Sequence, residues 1–207
     1  RGQYTSGFVQ GKKVPGYLEE EGANKTSATE TFVAIRVDID NWRWAGVPFY
    51  LRTGKRLPTK CSEVVVYFKN PEMNLFKDSY SQLPQNKLTI RLQPDEGVDI
   101  EILNKVPGLD HKHKLQTTKL DLSYSETFNQ SHLADAYERL LLESMRGIQA
   151  LFVRRDEVEA AWTYVDSIID AWAADGDSSK PYQAGTWGPV ASVAMITRDG
   201  RSWNEFE

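Results

Sequence analysis

The sequence predicts an α+β domain, a large, mainly antiparallel sheet backed by helices. Strand-like segments with two-residue alternation crowd positions 29–124, whereas helical periodicity is confined to 133–176. The two kinds of segment do not alternate, so the crossover helices of a parallel sheet are not expected. The strand-like runs are mostly separated by short connections, as antiparallel neighbours allow.

The first 28 residues are rich in Gly, Lys, Glu and Ser and read as a loop with short extended pieces. Val33, Ile35, Val37 and Ile39 then alternate with Ala34, Arg36 and Asp38, the pattern of a half-buried strand. "NWRWAGVPF" follows as a turn carrying Trp42 and Trp44. Phe49 to Leu51 is an apolar strand-like run that opens into "RTGKRLPTK". "EVVVYF" from Glu63 is β-branched and aromatic and reads as a strand. In "KLTIRLQP", Leu88, Ile90 and Leu92 face one way and Thr89, Arg91 and Gln93 the other. "GVDIEIL" from Gly97 alternates again, "KVPGLDHKHK" reads as a turn and polar loop, and "KLDLSY" from Lys119 is a shorter strand.

Helical patterning begins after Ser131. "ADAYERLLLESMRGIQAL" is an unbroken run of good helix formers with apolar residues at helical spacing. "RRDEVEAAWTYVDSIIDAWAADG" is the clearest helix: Asp156 and Glu159 resemble a capping pair at N-cap and N3, and Gly176 ends it. Its stripe of Val158, Trp162, Val165, Ile168, Ile169 and Trp172 is expected to face a core. Residues 177–207 read as an irregular tail, and the whole of 1–207 as a single domain without internal repeats.

The composition, 40% hydrophobic and 26% charged, is that of a globular chain able to bury a sizeable core. The net charge of -4 argues against nucleic acid or an anionic membrane as partner, so any anion site must be local. No apolar run is long enough to span a bilayer. The single cysteine, Cys61, has no partner within the chain, which fits a reducing, cytoplasmic setting. The opening "RGQYTSG" shows neither a signal peptide nor a methionine, and reads as the interior of a longer chain.

There is no GxGxxG or P-loop, and no Cys/His spacing for zinc. His111 and His113 could share a strand face, but no third ligand is in view, so no metal is expected. His132 reads as a helix-terminus residue, and nothing announces a nucleophile or a general base. The strongest feature is basic: Arg52, Lys55, Arg56 and Lys60 fall within nine positions, no acid interrupts them, and Gly54 and Pro58 turn the chain. Lys55 and Lys60 could converge on one anion such as phosphate, or the cluster could be a solvated basic edge. Arg91 and Gln93, on one strand face, are equally compatible with ligand donors and with an exposed sheet. Trp162 and Trp172 belong to the helix stripe; Trp42, Trp44, Trp187 and Trp203 are open to either a packing or a stacking role.

Five segments in order, "TETFVAIRVDIDNWRWAGVPFYLRTGKRL", "IRLQPDEGV", "LDLSY", "DAYERLLL" and "FVRRDEVEAAW", resemble the C-terminal domain of the glucose-6-phosphate dehydrogenase family, from Arg1 to about Pro189. The resemblance implies an oxidoreductase of carbohydrate metabolism, in the pentose phosphate pathway. It oxidises glucose 6-phosphate to 6-phosphoglucono-δ-lactone and passes hydride to NADP or, in some members, NAD. It also implies an N-terminal Rossmann domain that is absent here, and homodimers paired through the sheet. Lys55 of the "RTGK" turn, Lys60 five positions on and Gln93 of the "IRLQP" strand match the family's substrate-binding positions. The family's catalytic histidine and Gly-rich nucleotide turn belong upstream, so no catalytic residue is expected in this chain and it should be inert alone. Some members hold a second, structural NADP in this domain. Arg52, Arg91 and Asp121 match positions used there, but Cys61, Val65, Asp99 and Trp187 depart from it, so no cofactor is expected in the fragment. The competing expectation is a non-enzymatic sugar-phosphate-binding or dimerisation module.

Overall fold

The computed structural model describes residues 1–108, 114–128, 136–176 and 178–204. In chain order the strands are β1 (Gly2–Thr5), β2 (Gly7–Val9), β3 (Lys12–Val14), β4 (Phe32–Asp38), β5 (Pro48–Gly54), β6 (Ser62–Tyr67), β7 (Lys87–Gln93), β8 (Gly97–Lys105), β9 (Leu115–Ser123) and β10 (Lys180–Gln183). The helices are α1 (Tyr124–Thr127), α2 (Ala136–Arg146), α3 (Arg155–Asp175) and α4 (Val190–Thr197). The α+β class with antiparallel sheets is therefore observed. The strands divide between two four-stranded sheets and the β2–β3 hairpin. The chain forms two compact units, one of Arg1–Thr59 with Phe152–Glu207, the other of Lys60–Leu151.

In the first unit the sheet order is β10-β1-β4-β5, with β1 and β10 parallel and the other pairs antiparallel. Segments near both ends of the sequence thus meet in one sheet, and the short extended pieces expected in the opening residues are the three strands β1–β3. Tyr4, Phe32, Tyr182 and Ala184 form the buried centre, with Val9, Val14, Tyr17, Ala34 and Leu57 against it. Phe32 is the deepest residue of β4, so the core side of that strand's start is the Phe32–Ala34 face. The tail is not irregular. Main-chain pairing with β1 makes Lys180–Gln183 a strand, although it is too short to show a period and contains a proline. Gly188, at φ +102°, lies against the Phe32 ring; a β-carbon there would sit 2.3 Å from Phe32 Cε2.

Helix α3 begins before the expected cap. Arg154 is its N-cap, and its N–H donates to Glu157 Oε2 at 2.9 Å. Asp156 lies inside the first turn instead, where its carboxylate accepts from Arg154 Nε and Nη2 and from the Glu157 N–H at 3.2 Å. Gly176 ends the helix in the left-handed region, as expected. The apolar stripe, however, is not a core face among the described residues: Trp162 is 58% exposed, and Val158, Val165 and Ile169 are exposed too. Trp172 is half-buried under the Arg1 guanidinium, 5.2 Å from its ring centre. Periodicity identifies the apolar face of a helix but not what covers it.

The second unit is the antiparallel meander β6-β7-β8-β9. Its register stacks like with like. Val64, Ile90, Val98 and Leu122 form one cross-strand row, and Val66, Leu88, Ile100 and Leu120 the next, on the same face. That face is open among the described residues, with Leu120 59% exposed. The opposite face carries Glu63, Arg91, Gly97 and Ser123 in one row and Val65, Thr89, Asp99 and Asp121 in the next. Here Thr89 and Asp99 are buried.

Candidate functional site

Strand β5 delivers the basic cluster. Arg52 lies within the strand and Lys55 directly follows it. The four cations do not have equal freedom. The Arg52 guanidinium lies over two indoles, 5.1 Å from the Trp187 ring centre and 4.6 Å from that of Trp203. Trp203 is itself fixed by donating Nε1–H to the Ser192 carbonyl at 3.1 Å. Arg56 turns back at φ 53° and donates Nη2–H to Glu20 Oε1 at 2.6 Å, where the Tyr4 hydroxyl also donates at 3.0 Å. These two donors, Arg56 first, hold the Glu20 carboxyl below the ordinary carboxylate range. Lys55 and Lys60 are exposed, and among the described residues neither has an ion-pair partner. The two arginines are thus engaged within the protein, and the two lysines remain available to an external anion.

The turn's backbone is held from several elements. Lys55 N–H donates to the Thr31 carbonyl at 2.8 Å, and the Gly185 N–H donates to the Arg56 carbonyl at 2.7 Å. The Tyr182 hydroxyl donates to the Lys55 carbonyl at 2.7 Å. The anchors from Tyr182 and Gly185 do not emerge from sequence reasoning, because both belong to the stretch that read as irregular.

Lys60 opens the second unit, two residues before Ser62, and Ser62 pairs in register with Gln93 at the end of β7. Gln93 is exposed and precedes a cis peptide bond to Pro94. Its neighbour on the same face, Arg91, is not an open ligand donor. Arg91 Nη1 meets Asp99 Oδ2 at 3.1 Å and Nη2 meets Asp121 Oδ1 at 3.0 Å, while Lys119 Nζ reaches Asp99 at 3.2 Å. Arg91 holds the Asp121 carboxyl below its usual range. The guanidinium crosses the sheet where Gly97 leaves room; a β-carbon at Gly97 would lie 2.3 Å from Arg91 Nη2. Of the three residues matching the structural-nucleotide site, Arg52 is therefore stacked and Arg91 and Asp121 are paired with one another. His111, His113 and His132 lie outside the described residues. Among the described residues no group of three or more His, Cys, Asp or Glu could hold a metal ion, and no helix is long and apolar enough to cross a membrane.

The family model described as glucose-6-phosphate dehydrogenase, C-terminal domain, matches residues 1–204. The chain belongs to that family. It is 88% identical, over all 207 residues, to 42% of the glucose-6-phosphate 1-dehydrogenase of Dickeya dadantii (strain 3937). It is 55% identical to the same 42% share of the enzyme of that name from Buchnera aphidicola subsp. Schizaphis graminum (strain Sg). A solved structure of glucose-6-phosphate dehydrogenase in complex with its substrate glucose 6-phosphate matches 99% of this chain and 41% of its own, at TM-score 0.84 and 34% identity. A crystal structure of glucose-6-phosphate 1-dehydrogenase from Mycobacterium avium matches 97% of the chain at TM-score 0.73 and 33% identity. The chain thus spans about two fifths of the length of these relatives, and the glucose-6-phosphate dehydrogenase C-terminal fold accounts for nearly all of it.

Proposed function

We propose that this chain is the substrate-binding and dimer-forming part of a cytoplasmic glucose-6-phosphate dehydrogenase that oxidises glucose 6-phosphate with NADP. The observation that carries this reading is the 88% identity to a glucose-6-phosphate 1-dehydrogenase along the whole chain. Lys55 and Lys60 take the phosphate dianion and Gln93 takes a sugar hydroxyl. The exposure of all three, and the diversion of Arg52 and Arg56 into internal contacts, support that assignment. A carboxamide can donate to one hydroxyl lone pair and accept from another hydroxyl, while lysine provides a mobile point charge. The base and the nucleotide fold are assigned to the portion of the relatives that this chain does not cover, so the chain has no turnover of its own.

The structural-nucleotide positions do not fit a second NADP in this chain. Arg52 is engaged by two indoles and Arg91 by two carboxylates, and the buried Asp99 beside Arg91 adds negative charge that disfavours an anionic ligand there. The apolar rows on the second sheet support pairing of two copies through that face. The test is titration of the 15N-labelled chain with glucose 6-phosphate, with glucose and inorganic phosphate as controls. Each charge-assisted hydrogen bond contributes about 1.5–3 kcal/mol against an association cost of about 4 kcal/mol or more, so Kd is expected in the millimolar range. Shifts at Lys55, Lys60 and Gln93 that exceed both controls and vanish in Lys55→Ala are the expected result. Shifts matched by phosphate alone reduce the cluster to a generic anion patch.

A further inference from the structure

The Lys55 side chain is exposed, but the peptide that carries it is anchored to the core of its unit through one tyrosine. Tyr182 is only 4% exposed, and its ring packs on Phe32 at 5.5 Å and on Tyr4 at 6.3 Å between ring centres. Its hydroxyl lies 2.7 Å from the Lys55 carbonyl and 3.2 Å from both the carbonyl and Oγ1 of Thr31. A phenol has one proton, and the shortest contact assigns it to Lys55. The Thr31 hydroxyl can then donate to the Tyr182 oxygen while accepting from the Tyr4 N–H at 3.0 Å. One continuous chain results: Tyr4 N–H to Thr31 Oγ1, Thr31 O–H to Tyr182 Oη, Tyr182 O–H to the Lys55 carbonyl. With Lys55 N–H already donating to Thr31, both peptide groups flanking the Lys55 α-carbon are held. The direction in which the side chain leaves the turn is thereby set before any ligand arrives.

We propose that Tyr182 is a positioning residue for phosphate capture: its buried hydroxyl fixes the Lys55 carbonyl and so preorganises the Lys55 side chain. The proposal rests on the reading that Lys55 binds the phosphate of glucose 6-phosphate. A carbonyl released from this bond lets the Lys55–Arg56 peptide rotate, and the lysine must then be ordered at the moment of binding.

The test compares glucose 6-phosphate affinity in four forms of the 207-residue chain: unmodified, Lys55→Ala, Tyr182→Phe and Val14→Ala. Tyr182→Phe keeps the ring and removes only the hydroxyl. Val14→Ala loosens the same core from strand β3 and leaves the hydrogen bonds of the turn in place. One neutral hydrogen bond corresponds to a roughly three- to tenfold change in an equilibrium constant. The expected result is loss of binding in Lys55→Ala, a weakening of that size in Tyr182→Phe, and unchanged affinity in Val14→Ala despite its lower unfolding midpoint. The amide of Arg56 should also exchange faster with solvent in Tyr182→Phe than in Val14→Ala. If Lys55→Ala loses binding while Tyr182→Phe binds like the unmodified chain, or no more weakly than Val14→Ala, the positioning role is overturned and the site stands. If Lys55→Ala binds normally, or the unmodified chain does not bind at tens of millimolar, both fall. Should Tyr182→Phe fail to fold, Thr31→Val, which removes the hydroxyl that orients Tyr182, decides by the same criteria.

Discussion

Replacing Gly97 with alanine would place a methyl carbon 2.3 Å from Arg91 Nη2 and 2.6 Å from the Leu122 carbonyl oxygen. The carbonyl belongs to the β8–β9 ladder and cannot yield without breaking register, because Val98 pairs with Leu122. The ladder is strained at that carbonyl and the guanidinium must also move, and with it go the bonds to Asp99 at 3.1 Å and Asp121 at 3.0 Å. Overpacking costs about 1–3 kcal/mol, and breaking a buried ion pair costs about 3–5 kcal/mol. Lys119 stays 3.2 Å from Asp99, and Asp121 is half exposed, so only part of the second cost applies. The expected loss is about 3 kcal/mol, or about 6–12 °C in melting temperature for a chain of this size. Urea unfolding followed by circular dichroism measures it. Arg91→Met in the Gly97→Ala background should remove the guanidinium clash, so the two changes together cost less than their sum by about 1 kcal/mol or more. A loss under about 0.5 kcal/mol for Gly97→Ala, or strict additivity in the cycle, would refute the crossing of Arg91 over Gly97.

Three further outcomes are expected. Arg52→Ala should destabilise the chain by about 2 kcal/mol, since two indole faces each contribute about 0.5–2 kcal/mol, and should red-shift tryptophan emission. Arg52→Lys should recover only part of this, because an ammonium cannot stack on both faces. Glu20, Asp121 and Asp199 have carboxyls held below their ordinary values, chiefly by Arg56, Arg91 and the Tyr50 hydroxyl respectively. Their contribution is complete above the unfolded-state range of about pH 4–4.5 and is lost as pH falls, because the unfolded chain binds protons first. The urea midpoint should be flat above about pH 5 and drop below it, less steeply in Glu20→Gln; a midpoint independent of pH down to 3 would contradict the pairing. Trp162→Gln should change the stability of this chain by no more than about 0.5 kcal/mol, whereas a loss above about 2 kcal/mol would show that the stripe of α3 is covered.

Local chemistry determined much that could be read without coordinates. Strand alternation in 33–39 and 87–93, the β-branched run at Glu63 and the stop at Gly176 depend on residues close in sequence, and each element forms where that pattern lies. The basic turn was legible for the same reason: cations without an intervening acid within nine positions need no tertiary information to be seen. What the sequence could not rank was which of those cations stay available. That depends on Trp187 and Trp203 reaching Arg52, and on Glu20 reaching Arg56, contacts between residues 36 to 151 positions apart. The strand of Lys180–Gln183 likewise exists only because β1 offers it a ladder. The buried face of α3 was misjudged because a 3.6-residue period reports an apolar side and says nothing of a cover. Propensity and periodicity act over a few residues. Ion pairing, stacking and burial are decided by whichever distant groups the fold brings within a few ångströms, and there only the tertiary structure could assign the two arginines to internal contacts and leave the two lysines exposed.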